Sequence, residues 1–400
     1  MSGMGKLFWW LLLPLGLIAF PLAWIGHACI WTAILNHIYG RLFPKWFLKF
    51  WRYFTGLVIL AFPLLWWVRY ASLSPLDPPD AGIWGAAVLA YTAVCLVFGA
   101  IIFPAITVAR LLRKIPACVV SATTRMLDLW PELGAKLLGD GKLAVAARLP
   151  GNCVFRVDFT DLTLALPDLP PEWDGLTLLV VNDLHFHGTP SRVFFDRVVD
   201  ELAAAPPPDL ICLVGDFVDT DAHREWIRPL LGRLPSNGPK LAILGNHDRH
   251  YDPDRVCEEL AAAGYDVLGN GWREVTIRDI PCVVVGHEGP WYAPPPDLAA
   301  APTGLFRLCL SHTPDNFYWG IANRIGLMLC GHVHGGGIRV PLIGPIFVPS
   351  VYGRRFDSGV FERDGTVMVV NRGLSGREPI RFRCNPEVLR VTLVRPRSAS

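Results

Sequence analysis

The sequence predicts an α/β domain preceded by a helical membrane region, and three observations carry that prediction. Hydrophobic residues make up 52% of the 400 residues and charged ones only 18%, too apolar a balance for an ordinary soluble protein. The excess is uneven: nine of the fifteen tryptophans fall at or before Trp84, and no acidic residue precedes Asp77. From about residue 151 the character changes, and short apolar runs alternate with helical stretches as they do when strands and helices build one domain.

Three apolar stretches open the chain, Phe8 to Ile38, Phe54 to Val68 and Ile83 to Val108. A spanning helix needs roughly 20 residues, so residues 1–115 are expected to form a transmembrane region of about three helices. Pro14 and Pro21 can bend the first, and the second reaches sufficient length if it extends toward Tyr70 with Arg69 snorkelling. His27 and His37 read as neutral imidazoles satisfied by a neighbouring helix. A cleaved signal peptide is the competing reading, but the apolar run continues through Ile30 and Trp31, and Gly26-His27-Ala28-Cys29 is a poor lipobox.

Charge orients these spans. The loop after the first carries Arg41, Lys45, Lys49 and Arg52, the loop after the second Asp77 and Asp80, and the third is followed by Arg110, Arg113 and Lys114. Positive charge stays inside, which places everything after residue 110 in the cytoplasm of a multi-pass membrane protein and the N-terminus outside. The ten cysteines contain no Cys-x-x-Cys pair and several lie in apolar runs, the usage of free thiols in a reducing compartment. A net charge of +2 is uninformative about nucleic acid, and with no basic, aromatic-interleaved tract to suggest one, no nucleic-acid partner is expected.

Residues 116–150 read as an amphipathic or linker helix. Ser121 to Leu138 places Met126, Trp130, Leu133 and Leu137 on one helical face, to lie on the bilayer or dock on the following domain. Val154 to Phe159 then alternates like a half-buried strand. Beyond Gly175 come buried strand runs at Leu176 to Val181, Leu210 to Val214, Leu241 to Leu244, Val283 to Val285, Leu305 to Leu310 and Leu327 to Leu329. Helices are expected over Ser191 to Ala204, Ala222 to Arg233 and Pro253 to Ala263. Further strands fall at Val360 to Phe361, Val367 to Val370 and Leu389 to Val394, completing a domain over 151–400.

Five of the runs end in chemistry: Asp183-Leu184-His185, Gly215-Asp216-Phe217-Val218-Asp219, Gly245-Asn246-His247-Asp248, Ser311-His312-Thr313 and Gly331-His332-Val333-His334-Gly335. Ligands gather at the carboxyl ends of strands in α/β sheets, so five strand ends can converge on one spot. A donor set of Asp, His and Asn without thiolate suits two divalent ions such as Mn, Fe or Zn. Such a pair, about 3.5–4 Å apart, needs a bridging carboxylate, and Asp216 is the candidate. Hydroxide activated between the ions would attack phosphorus in line. The leaving oxygen then needs a proton, which His247 can supply, with Asp248 orienting its ring. Asp219 either supports a ligand from behind or caps a helix.

These motifs resemble the calcineurin-like metallophosphoesterase superfamily over roughly residues 150 to 395. The resemblance implies a β-sandwich of two mixed sheets flanked by helices. It further implies that Asp183, His185 and His334 hold the first metal, that Asn246, His312 and His332 hold the second, that Asp216 bridges them, and that His247 is the acid. The lead-in Pro170-Pro171-Glu172-Trp173-Asp174-Gly175, the run Gly335-Gly336-Gly337-Ile338-Arg339 and the tail Arg372-Gly373-Leu374-Ser375 with Pro379-Ile380-Arg381-Phe382 look like its membrane-associated bacterial branch. That branch includes enzymes similar to UDP-diacylglucosamine pyrophosphatases, which makes a lipid-linked phosphate at the bilayer the expected substrate. Glycerophosphodiesters, phospholipid head groups and cyclic nucleotides are the alternatives, and a metal-bound scaffold without activity is the alternative of another class. Gly337 departs from the branch, which often has glutamine there. His187, His250 and His287 carry no assigned role; Arg339 and Arg377 could grip phosphate or be structural.

Overall fold

A computed structural model describes residues 3–71 and 83–396. The chain divides into two compact units, Met1–Arg113 and Lys114–Ser400. In the first, helices span Gly3–Tyr39, Lys45–Ala71, Ile83–Val97 and Phe103–Leu111, the last two joined by a π-helical turn at Phe98–Ile102. Three windows, Leu17–Tyr39, Lys45–Trp67 and Ala86–Leu111, are long and apolar enough to cross a membrane. The first helix runs unbroken through Pro14 and Pro21, and the short second run gains its length by starting at Lys45.

This unit packs through small residues and satisfied polar groups. A Cβ on Gly26 would fall 1.8 Å from the Cys95 carbonyl oxygen, and one on Gly99 would fall 1.9 Å from that of Leu22, so only glycine permits these backbones to touch. The His27 ring bonds the Tyr91 hydroxyl at 2.6 Å and the Val58 carbonyl at 3.2 Å, one group on each neighbouring helix. The ring is therefore a cross-link between helices, as its sequence reading anticipated.

The second unit is a β-sandwich. Its strands are β1 Val119–Asp128, β2 Arg156–Ala165, β3 Leu176–Val181, β4 Leu210–Val214, β5 Lys240–Ile243, β6 Asp266–Val267, β7 Gly271–Ile277, β8 Ile280–His287, β9 Arg307–Ser311, β10 Leu327–Cys330, β11 Arg339–Val340, β12 Gly344–Pro345, β13 Gly359–Arg363, β14 Thr366–Val370 and β15 Glu387–Val394. One mixed sheet has the order β1-β2-β15-β3-β4-β5-β6, the other β13-β14-β10-β9-β8-β7, and β11 with β12 forms a separate hairpin.

The runs are apolar throughout because both faces of each central strand are buried. Along β4, Leu210, Cys212 and Val214 enter the core between the sheets, where they join Val284, Leu308, Leu329 and Val369 of the second sheet. Ile211 and Leu213 point the other way, into a core shared with Phe194, Phe195 and Val198 of helix Arg192–Ala204. Each such side chain contributes roughly 1.5–3 kcal/mol by leaving water. All ten cysteines are free.

One expected element is wrong in kind. Ser121 to Leu138, read as an amphipathic helix within 116–150, is no continuous helix: β1 occupies Val119–Asp128, and only short helical turns follow at Trp130–Leu133 and Gly134–Leu137. Val119, Val120, Thr123 and Thr124 are β-branched and lose side-chain freedom in a helix, and β2 offers an antiparallel partner in the register Thr124↔Thr160. Cross-strand contacts hold the pair, with the Thr124 and Thr160 hydroxyls 3.1 Å apart and the Arg125 guanidinium 4.7 Å from the Phe159 ring centroid. The periodicity of Met126, Trp130, Leu133 and Leu137 is accidental, since it runs across a strand and two turns. The sheet therefore begins at Val119, well before residue 151.

Candidate metal centre

β3, β4 and β5 are parallel neighbours in one sheet, and β8, β9 and β10 are parallel neighbours in the other. All five motifs sit just past the carboxyl ends of these strands. The two sheets are tied there: the His332 N–H donates to Asp183 Oδ2 at 3.0 Å, and His312 Nδ1 meets the Val214 carbonyl at 2.9 Å. Asp183, His185, Asp216, His332 and His334 all take positive φ between 46° and 70°. Each such non-glycine residue costs about 1–3 kcal/mol, a strain the surrounding ties maintain. Glycines allow close approaches to the ligand residues. A Cβ on Gly245 would fall 2.1 Å from Asp216 Oδ1, and one on Gly373 would fall 2.5 Å from the Asp183 Cβ.

Three clusters of candidate ligand atoms, each within 4.8 Å of one another, result: one is His185 with Asp219 and His247, and the other two are Asp183 with His185 and His334, and Asp216 with His312 and His332. Asp216 Oδ2 lies between the last two, 3.5 Å from His185 Nε2 and 3.3 Å from His312 Nε2. Asn246 Oδ1 closes on His312 Nε2 at 3.0 Å. The decisive detail is what is missing: His185 Nε2, Asp216 Oδ2 and His332 Nε2 are buried without a hydrogen-bond partner. Unpaired buried polar atoms cost about 1–3 kcal/mol each, and three of ligand type in adjoining clusters are the donors a pair of divalent cations would take up. His332 and His334 are held well below the usual imidazole range by burial and by neighbouring imidazoles, so they are neutral, the form that binds metal. The residues present fit two divalent ions.

Comparison with known proteins points the same way. The family model for calcineurin-like phosphoesterases matches residues 176–336. The chain is 33% identical over 226 residues to the phosphodiesterase YaeI of Escherichia coli, covering 54% of this chain and 82% of that protein. It is 30% identical over 246 residues to the uncharacterized metallophosphoesterase YkuE of Bacillus subtilis, covering 59% of this chain and 85% of the relative. The chain belongs to the calcineurin-like phosphoesterase family. It is accordingly a metal-dependent phosphoester hydrolase. A Danio rerio transmembrane protein with a metallophosphoesterase domain is 26% identical over 194 residues, 44% of each chain.

Within this phosphoesterase site the acidic partner of His247 differs from the expected one. His247 Nδ1 is hydrogen-bonded to Asp219 Oδ1, and the other Asp219 oxygen lies 3.1 Å from His185 Nδ1. One carboxylate thus orients two rings. Asp248, expected to orient His247, instead accepts backbone N–H bonds from Asp216, Phe217, Val218 and Gly245 at 2.8–3.1 Å. Its place right after His247 in sequence was misleading, because the chain turns into a 3-10 helix there and sends the carboxylate back under the β4 loop. Burial pulls the His247 pKa down, but the Asp219 and Asp216 carboxylates outweigh it and push it up to about 9. Burial raises Asp219, yet His247 and His185 hold it well below the ordinary range.

The unassigned residues sort themselves by their contacts. His187 is half-buried with Nε2 3.0 Å from the Gly376 carbonyl. His287 is buried, receives N–H bonds from Gly289 and Asn316, and is pushed down to about 4 by burial. His250 is exposed. Arg339 is committed to the Gly335 carbonyl, Asp357 and Ser358. Arg377 is exposed and, among the described residues, makes no hydrogen bond or ion pair, while its neighbour Gly376 lies against the His334 ring. Sequence reasoning missed two residues. Trp291 packs its ring 4.5 Å from His332, and buried Arg381 donates to the Ser375 and Arg372 carbonyls beside His334. Arg381 stands in a quoted motif, so a signal existed; nothing near Trp291 marked it.

Proposed function

We propose a membrane-anchored phosphodiesterase or pyrophosphatase whose substrate is a lipid-linked phosphate of the UDP-diacylglucosamine kind. In this reading Asp183, His185 and His334 hold one ion, Asn246, His312 and His332 the other, and Asp216 joins them. Bound there, two divalent cations supply water activation and neutralise charge on the phosphoryl oxygens. The chain's own part is proton delivery and positioning. Asp219 fixes His247 through Nδ1, which leaves Nε2 to protonate the departing oxygen. The exposed, unpaired Arg377 is the cation left to grip a substrate phosphate. The observation that carries the reading is the set of partnerless ligand atoms on His185, Asp216 and His332.

Three helices of spanning length support the lipid side of the proposal. The charges Arg41, Lys45, Lys49 and Arg52 against Asp77 and Asp80 favour a cytoplasmic catalytic domain. The name of the Escherichia coli relative favours a diester over a monoester. The test is mass spectrometry of full-length protein in detergent offered UDP-diacylglucosamine, glycerophospholipids and cyclic nucleotides in competition with Mn present. The lipid-linked diphosphate is expected to turn over fastest. Preference for a cyclic nucleotide would overturn the substrate assignment and leave the metal site standing.

A further inference from the structure

Beyond the metal centre, the second unit carries a surface unlike the rest of its exterior. Three segments adjoin through backbone pairing. Asn152 and Ile338 both bridge to Phe382, Asn152 Nδ2 donates to the Pro379 carbonyl at 2.8 Å, and Arg339 and Phe382 exchange bonds with the Phe382 and Gly337 carbonyls. On these segments stand exposed apolar side chains: Val145 at 81%, Leu149 at 46%, Ile338 at 48%, Leu342 at 77% and Ile346 at 49%. Leu342 holds φ +65° at the tip of the β11–β12 hairpin. A bulky residue in that region is strained, so the fold spends free energy to present a leucine to its surroundings.

The three segments themselves carry charge of one sign, and the acidic residues Asp140 and Glu378 stand just outside them. Residues 141–152, 337–349 and 379–385 contain Lys142, Arg148, Arg339, Arg381 and Arg383 and no Asp or Glu. Among the described residues, Lys142, Arg148 and Arg383 are exposed and make no ion pair. The Arg148-Leu149 turn also walls an open groove of about 590 Å³ with Trp130, Phe155 and the Asp128–Arg156 ion pair, and tryptophan favours the membrane–water interface. Apolar side chains ringed by unneutralised cations match an anionic lipid surface, into which the side chains dip while the cations meet head groups. A protein partner would need a large acidic complement, for which nothing in the molecule argues. The chain supplies a bilayer nearby: eight residues lead from Leu111, the end of the third apolar helix, to Val119, a reach of at most about 29 Å.

We infer that the face formed by Val145, Leu149, Ile338, Leu342 and Ile346 docks on anionic lipid. This face continues directly from the His334-Gly335-Gly336 turn, so docking would bring a phosphate at the lipid surface to the His334 side of the site. The inference rests on the membrane-anchored part of the proposed function, and its test reads lipid charge, not turnover, so the two fail separately.

The experiment is hydrogen–deuterium exchange of full-length protein in nanodiscs of phosphatidylcholine with and without phosphatidylglycerol. Peptides covering 141–150 and 337–347 are expected to exchange at least about fivefold more slowly with phosphatidylglycerol, the factor one near-surface cation contributes. Peptides of β4 should be unchanged. Combining Lys142→Glu, Arg148→Glu and Arg383→Glu should abolish the difference while hydrolysis of soluble bis-p-nitrophenyl phosphate stays at the parent rate. Leu342→Asp, a single change at an exposed tip, should reduce the difference in the same direction and serves if the triple variant does not fold. Equal exchange in both lipids, or protection that persists in the variants, overturns the inference. Equal protection in detergent together with a dimeric mass also overturns it and assigns the face to a second copy.

Discussion

The two units bury polar groups under opposite conditions, and the difference separates structure from function. In the helical unit, Leu57, Leu60, Leu64 and Trp67 face outward, and the buried His27 ring has both nitrogens occupied by neighbouring helices. Trp51 Nε1 and the Thr55 and Thr107 hydroxyls are also buried there without a hydrogen-bond partner, but none of them is a carboxylate or an imidazole. In the sandwich the apolar residues are inside, and among its partnerless buried atoms three carboxylate or imidazole donors lie together in adjoining clusters. Burial of a polar group marks a cross-link where its bonds are complete and a binding site where they are jointly incomplete.

The largest expected effect tests that distinction directly. Asp216→Ala removes the carboxylate between the clusters, and activity should fall by at least about 10³-fold with metal lost, as read by elemental analysis of the purified protein. Full retention of two metals would break the contrast. His247→Ala should cost about 10²–10⁴-fold with the metal retained. The loss should be smaller for a p-nitrophenolate leaving group, which hardly needs a proton, than for an alkoxide. Asp219→Asn should reproduce that leaving-group pattern at about 10–100-fold. Asp248→Asn should instead lower the melting temperature and leave the leaving-group pattern unchanged.

Smaller effects sharpen the comparison from the stability side. Leu213→Ala, in the core under helix Arg192–Ala204, should cost about 2–5 kcal/mol by thermal unfolding. Gly26→Leu should disrupt helix packing in detergent without changing turnover of a soluble diester, because its conflicts are with the Cys95 and Gly99 backbone of the helical unit. In chelated protein, the raised pKa of His247, about 9 against an ordinary 6.5, makes a stabilising contribution. That contribution is complete below pH 6.5 and lost as pH rises through 9. The melting temperature should fall across that window, and Asp219→Asn should flatten the fall.

Much of this was legible in the sequence because buried central strands leave apolar runs, and polar residues interrupting them at a strand end have few structural reasons to be there. Asp183, His185, Asp216, Asn246, His312, His332 and His334 lie near one another past the strand ends. The helix expected over Ser121 to Leu138 failed because strand pairing with β2, 36 residues away between Thr124 and Thr160, overrode a local period. The partner of His247 was misjudged for a similar reason: sequence adjacency favoured Asp248, but the backbone turn sends it away and Asp219 arrives from β4. The five positive φ angles could not be read from single residues, since Asp and His are enriched at positive φ but most of them still adopt negative φ.

The carboxylate of Asp248 has a consequence for recognition. Successive N–H groups of Asp216, Phe217 and Val218, with that of Gly245, converge on it. Converging amides of this kind form a nest that elsewhere receives a phosphate oxygen. Here the nest is already filled by an anion the chain carries itself, so those amides are closed to the substrate. Selectivity for a phosphate must then come from cations rather than from main-chain dipoles, and binding should be correspondingly sensitive to ionic strength.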